Sequence, residues 1–180
     1  MKKLLSGIIG FALLAFASCN EAPKTEPAAS PDYDTFNKKV EVIRAFYKAQ
    51  CAEDTTALAA LIADSLKYSP PYYNGNKWLR KQELLAALKA YHANYENIKF
   101  IEGIVTPDST AGGFYSGSVF PKESATSSPN LIRTYGTWTA THTKTKQNVG
   151  LKFYSLTAIN KDGKIISYSD YFDINSLMPK

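Results

Sequence analysis

Sulfur and imidazole are scarce in this chain: two cysteines, two methionines and two histidines among 180 residues. The histidines, His92 and His142, come with no clustered cysteines and no paired acids at ligand spacing. That gives a zinc site no basis, and neither metal nor cofactor is expected. A phosphate-cradling loop and a nucleophile elbow are missing too, because "GGFYSG" (residues 112–117) lacks the strand–turn–helix setting that either requires. Charge of one sign is also lacking. Against 16 acids stand 21 basic residues, and setting aside Lys2 and Lys3 leaves a net charge of about +3, scattered along the chain. No nucleic-acid footprint follows from that. Long apolar runs are confined to the N-terminus, in "LLSGIIGFALLAFA".

That run follows Lys2 and Lys3 and leads through small residues to Cys19 in "FASC". A basic segment, a short apolar segment and a small-residue site make a secretory signal, removed on maturation, and not a spanning helix. Ending on cysteine, the site resembles the lipobox of bacterial lipoproteins. The resemblance implies cleavage before Cys19, lipidation of Cys19 and anchoring by acyl chains, each buried methylene contributing about 0.8 kcal/mol. Ordinary cleavage beside an incidental cysteine is the alternative. Asn20 after the cysteine resembles lipoproteins sent on to the outer membrane, so the expected location is the cell envelope. Residues 20–35, "NEAPKTEPAASPDYDT", read as a flexible tether. Residues 36–180 are one ordinary domain. With Cys19 lipidated, Cys51 has no internal partner and is expected as a small buried hydrophobe.

Within the domain Phe36, Val40, Ile43, Tyr47 and Cys51 mark one face of a helix from about Phe36 to Ala52. Asp54 is placed to cap a second helix with Leu58, Leu61 and Ile62 inward. "DSLKYSPP" reads as extended, and Asn74-Gly75 signals a tight turn. Leu84, Leu85, Leu88, Tyr91, His92 and Tyr95 predict a third helix over 80–95. From there the chain reads as strands: "IKFIEGIVT", "GFYSGSVF", "LIRTYGTWTATHT", "VGLKFYSLTAI" and "KIISYSDYFDI", rich in β-branched and aromatic residues that alternate. Helices first and strands after make an α+β layout.

The stretches "RAFYKAQCAEDTTALAALIADS" and "YGTWTATHTKTKQNVGLKFYSLTAINKDGKIISYSDYFD" carry a resemblance to the nuclear transport factor 2-like superfamily, in particular its SnoaL-like group. The resemblance spans residues 36–178. It implies a cone-shaped roll, three helices on a strongly bent antiparallel sheet, open at one end into a pocket, and pairing through the sheets into a homodimer. It also implies that the last strand turns Asp173 and Tyr171 into the cone and Asp170 outward. Ketosteroid isomerase is the wrong comparison, since its hydroxyl and base positions fall on Phe46 and on Ser69–Pro70.

Asp173 would then be a general acid or base, partly desolvated among Tyr171, Trp138 and Tyr91. Otherwise it caps the strand end. His142 on a neighbouring strand could complete an Asp/His pair, or merely face solvent near a hairpin. Tyr68 and Trp78, bunched with other rings beside Pro70 and Pro71, are further candidates for contacts to a ligand. Tyrosines suit a mostly apolar pocket with a few polar handles. The polar loop over 121–130 is either a lid or a plain surface loop. Three functions remain open on this reading: a binder of a small, partly apolar organic molecule, a cyclase, dehydratase or isomerase, or a structural dimer.

Overall fold

Helix α1 (Tyr33–Cys51) starts where Asp32 accepts a hydrogen bond from the amide of Thr35 at 2.9 Å. The computed structural model describes residues 32–117 and 129–178, and these lie within one compact unit, Pro31–Lys180. The signal, Cys19, most of the tether and nearly all of the 121–130 loop fall outside the described residues. The helix begins three residues earlier than its apolar face predicts, because the cap lies outside that face. Its inward stripe is Val40, Ile43, Phe46 and Tyr47, all buried. Glu53, at φ 56°, reverses the chain. Asp54 then caps α2 (Thr55–Leu61) by accepting from the amide of Ala57 at 2.9 Å. Leu58 of α2 is fully buried, and Ile62 opens the first strand.

The strands are β1 (Ile62–Ser69), β2 (Tyr95–Glu102), β3 (Ile104–Val105), β4 (Thr110–Ala111), β5 (Phe114–Ser116), β6 (Leu131–His142), β7 (Asn148–Ile159) and β8 (Ile165–Tyr171). Helix α3 (Lys81–Asn94) lies between β1 and β2. The main sheet runs β1-β8-β7-β6-β2, with β5 also on β6. The expected antiparallel sheet is corrected in one place: β1 pairs parallel with β8, so the sheet is mixed. Three helices on a strongly curved mixed sheet give the α+β cone. A parallel partner to the last strand is possible because α3 and most of the sheet lie between the two in sequence.

Curvature has local causes. Register breaks fall between Ile62 and Lys67, between Glu96 and Lys99, and between Ala158 and Ile159. Each extra residue bends its strand and deepens the twist. Asn97, at φ 56°, sits in the second break. Gly136 acts differently: a Cβ there would overlap the ring of Phe100, which lies across the β6 backbone. That ring meets Tyr47 at 4.4 Å and Trp138 at 4.8 Å between centroids.

The core fills the concave side. Leu66, Leu84, Ile132, Leu151, Phe153, Ile159, Ile165 and Tyr168 close on the α1 stripe. Each such side chain contributes roughly 1.5–3 kcal/mol on burial. Outside it, Arg44 of α1 donates to both carboxylate oxygens of Glu102, at 2.9 and 2.6 Å. Both groups are part-exposed, so this pair mainly orients the helix. Among the described residues no helix is long and apolar enough to cross a membrane.

Candidate functional site

Strand β8 decides the site. Tyr168 and Asp170 are buried and Phe172 part-buried on one parity; on the other, only the small Ser169 is buried, at 9% exposed. Tyr171 is 56% exposed, and Asp173 is exposed. The predicted alternation therefore holds while its direction is inverted: Asp170 faces the cone and Asp173 does not. The reason is burial. Turning Asp173 and Tyr171 inward would put Tyr168 and Phe172 in water, at a cost of about 2 kcal/mol or more per ring. Asp173 instead caps the terminal 3₁₀ turn, Ile174–Leu177, accepting from the amide of Asn175 at 2.9 Å and from the hydroxyl of Ser176 at 3.2 Å. That turn brings the carbonyl of Leu177 to the hydroxyl of Tyr95, which donates to it at 2.8 Å.

A cavity of about 90 Å³ lies between helices and sheet. Phe46 and Gln50 of α1 and Leu88 and Tyr91 of α3 form one side. Trp138, Leu151 and Phe153 line it from the sheet, Tyr95, Phe172 and Leu177 close one end, and Ile98, Thr139, Ala140 and Val149 also lie in the wall. Tyr168 and Asp170 are the β8 residues in its wall. No Lys or Arg lines it among the described residues.

Asp170 is 7% exposed and sits opposite Ser155 of β7. Its Oδ2 accepts a long hydrogen bond, 3.4 Å, from the hydroxyl of Tyr68 on β1. Its Oδ1 has no hydrogen-bond partner among the described residues. Burial pushes this carboxyl up to about 7, against the opposing pull of the Tyr168 and Tyr68 hydroxyls. Desolvation disfavours the charged form, and two neutral hydroxyls cannot replace the lost water. A carboxyl poised there exchanges its proton at neutral pH, the range useful to an acid, a base or a counter-ion. The surrounding hydroxyls stay neutral: burial holds Tyr47, Tyr68 and Tyr168 well above the ordinary tyrosine range and pushes Tyr91 up to about 12. Tyr47 and Ser155 share a hydrogen bond of 2.9 Å behind the site. Gln50, also 7% exposed, presents a second acceptor without a partner, its Oε1.

Of the residues picked out by sequence, Trp138 and Tyr91 line the cavity, and Tyr68 backs it through Asp170. Trp78 is 55% exposed and Tyr171 points away, so neither meets it. His142 ends β6, where its Nδ1 accepts from the amide of Thr145 at 3.2 Å. It does not line the cavity, and the expected Asp173/His142 pair is not assembled there. Cys51 is half-buried, and burial raises its thiol. No cluster of three or more metal-ligating side chains occurs among the described residues. Sequence reasoning misses Asp170, Gln50 and Phe46. The parity of Tyr168 and Phe172 is the available signal for Asp170; nothing local marks Gln50.

No family model matches the sequence, and no curated protein does. Solved structures do match. PrhC from Penicillium brasilianum aligns at TM-score 0.60 and 13% identity, over 79% of this chain and 84% of that one. An NTF2-like protein from Burkholderia thailandensis aligns at 0.54 and 11%, over 78% and 98%. RV0760c from Mycobacterium tuberculosis, in complex with estradiol-17beta-hemisuccinate, aligns at 0.56 and 14%, over 77% and 96%. At such identities the likeness establishes the nuclear transport factor 2-like cone fold and nothing further.

Proposed function

We propose that this chain is a lipid-anchored protein of the bacterial cell envelope, held at the outer membrane through Cys19, whose domain binds a small, partly apolar organic molecule in the cone. One observation carries the binding reading: an apolar cavity ends on a buried carboxyl, Asp170, whose Oδ1 has no partner among the described residues. An unpaired buried acceptor costs about 1–3 kcal/mol, which a ligand donor would recover. That a protein of this fold has been crystallised with a small molecule supports the reading. The domain pairs with a second copy through the outer face of the sheet. There Tyr115, Tyr135, Tyr154 and Tyr171 form a ladder of rings, with successive centroids at 5.7, 4.9 and 5.6 Å. Two of these rings stay exposed in the single chain.

Native mass spectrometry of the protein extracted from its host in mild detergent reads both claims at once. The expected species is two chains, each with a retained small mass, since a cavity of about 90 Å³ admits only a compact molecule. Bare single chains would overturn the reading. The anchor is tested separately: with Cys19→Ala, the protein should leave the membrane fraction for the soluble one. Retention in the membrane would defeat the lipidation reading, whose warrant is the basic, apolar and small-residue run ending on Cys19.

A further inference from the structure

Resting on the ligand-binding reading, we infer that the cavity takes a small organic cation, an ammonium group bearing short alkyl substituents, with its charge on Asp170 and its alkyl groups against the surrounding rings. Three independent features of the cavity select that chemistry.

The first is the sign of the polar groups. Asp170 Oδ1 is an acceptor without a partner among the described residues, on a side chain more than nine-tenths buried. The equally buried Gln50 adds a second such acceptor, Oε1, although its amide nitrogen can also donate, so the carboxyl sets the sign. The cavity offers them no cationic side chain among the described residues. The titratable groups acting on Asp170 are tyrosines: Tyr68 from β1, Tyr168 on its own strand, Tyr47 from α1 and Tyr91 from α3. None of them is a counter-ion. A buried carboxylate lacking a counter-ion is strongly disfavoured, and a bound cation supplies what the chain omits.

The second is the lining. Phe46, Tyr91, Tyr95, Trp138, Phe153 and Phe172 put aromatic rings around the same space. The negative face of a ring attracts a cation, and the attraction is stronger where water is excluded. A neutral alkyl group would gain from the same rings only by burial. A carboxylate ligand would meet both their quadrupoles and Asp170. The third is size: about 90 Å³ is smaller than the roughly 150 Å³ cavity that accommodates benzene. That favours a compact headgroup over a polycyclic ring system.

Titration behaviour follows from the geometry. Below pH 7 the carboxyl is protonated in the empty cavity, so binding a cation must expel that proton to solvent. Above pH 7 nothing is released. Affinity should therefore fall about tenfold per pH unit below 7 and be flat above it.

The test is calorimetric titration of the full chain in non-ionic detergent with trimethylammonium chloride, tert-butanol and sodium isobutyrate, at pH 5, 6, 7 and 8. Trimethylammonium should bind at least about tenfold more tightly than tert-butanol at pH 8, and isobutyrate should not bind. Acidification to pH 5 should weaken trimethylammonium by about a hundredfold with uptake of the released proton by the buffer. Asp170→Asn should lose at least about tenfold of the affinity and all of the pH dependence. Equal binding of tert-butanol, tighter binding of isobutyrate, or a flat pH profile in the unmodified protein overturns the cation class. If a retained neutral molecule is seen by mass spectrometry, that failure leaves the ligand-binding reading standing. Silence from every probe, with no retained mass, overturns both. The pH profile of the unmodified protein decides the matter even if the variant does not fold.

Discussion

Asp170→Asn should make the empty protein more stable at pH 8 and leave it no more stable at pH 4. The ordinary carboxyl of aspartate titrates near 3.9 in an unfolded chain, whereas burial raises Asp170 to about 7. Between those values the folded state holds a proton that the unfolded state has lost. Stability from this group is thus fully present at low pH and is lost as pH rises from about 4 to about 7. Keeping the carboxyl ionised in its buried place costs the folded protein something on the order of 4 kcal/mol above that range. The amide of asparagine recovers less than that, since a buried donor without a partner costs about 1–3 kcal/mol. The net gain at pH 8 is then about 1–3 kcal/mol, shrinking to zero or reversing by pH 4. Urea denaturation of both proteins at pH 4, 6 and 8 reads this directly as a difference between two curves, in which other titrating groups cancel. Parallel curves across the range would mean that the carboxyl is solvated, and the cavity assignment would fall with it.

The inversion on β8 shows which kind of sequence evidence carries weight. Alternation is a property of the backbone, and it correctly separates Tyr168, Asp170 and Phe172 from Ser169, Tyr171 and Asp173. Which set faces inward depends on summed burial. Two rings and a carboxyl outweigh one ring, a serine and a carboxyl. The resemblance matches the family's inward acid to Asp173 by its place near the end of the chain, where the strand in fact stops at Tyr171 and Asp173 serves as a cap. Position along a chain transfers poorly between distant sequences. Capping residues are legible in the same sequence because their signal is local: Asp54 caps α2 as its type and place predict.

Other parts of the site were out of reach for a physical reason. Gln50 lies on the inward face of α1, one residue before Cys51 in the predicted stripe, and a polar residue there reads as a boundary of the apolar face. Only the sheet opposite makes it a cavity wall. The parallel pairing of β1 with β8 joins residues about a hundred positions apart, Tyr68 beside Tyr168. It is this pairing that brings the Tyr68 hydroxyl to Asp170. No periodicity within either strand encodes it. The helices, the strand segments and the α+β class rest on local patterns, while the polar centre rests on long-range register.

Phe46→Ala should cost the fold about 3–5 kcal/mol, a loss at the upper end for a single core substitution. Phe46 is only 2% exposed, and its ring stands edge-on to Tyr168 at 5.5 Å and tilted against Tyr47 at 5.8 Å. Removing it deprives both tyrosines of a neighbour and joins the vacated space to the existing cavity. The domain cannot collapse to fill it, because α1 is fixed at both ends of this segment: Lys39 donates to the carbonyls of Ile159 and Asn160, and Tyr47 is bonded to Ser155. A loss of that size corresponds to a fall in melting temperature of very roughly 6–20 °C for a domain of this length. Phe46→Leu keeps most of the volume and should cost only about 1–2 kcal/mol, so the pair of variants separates packing from helix propensity. The enlarged cavity of Phe46→Ala should also accept bulkier ammonium ions, with tetraethylammonium gaining affinity relative to trimethylammonium. Thermal melts and the same titrations measure both effects. If Phe46→Ala melts within a degree or two of the unmodified protein, Phe46 does not hold the wall between α1 and β8, and the cavity is not bounded as described.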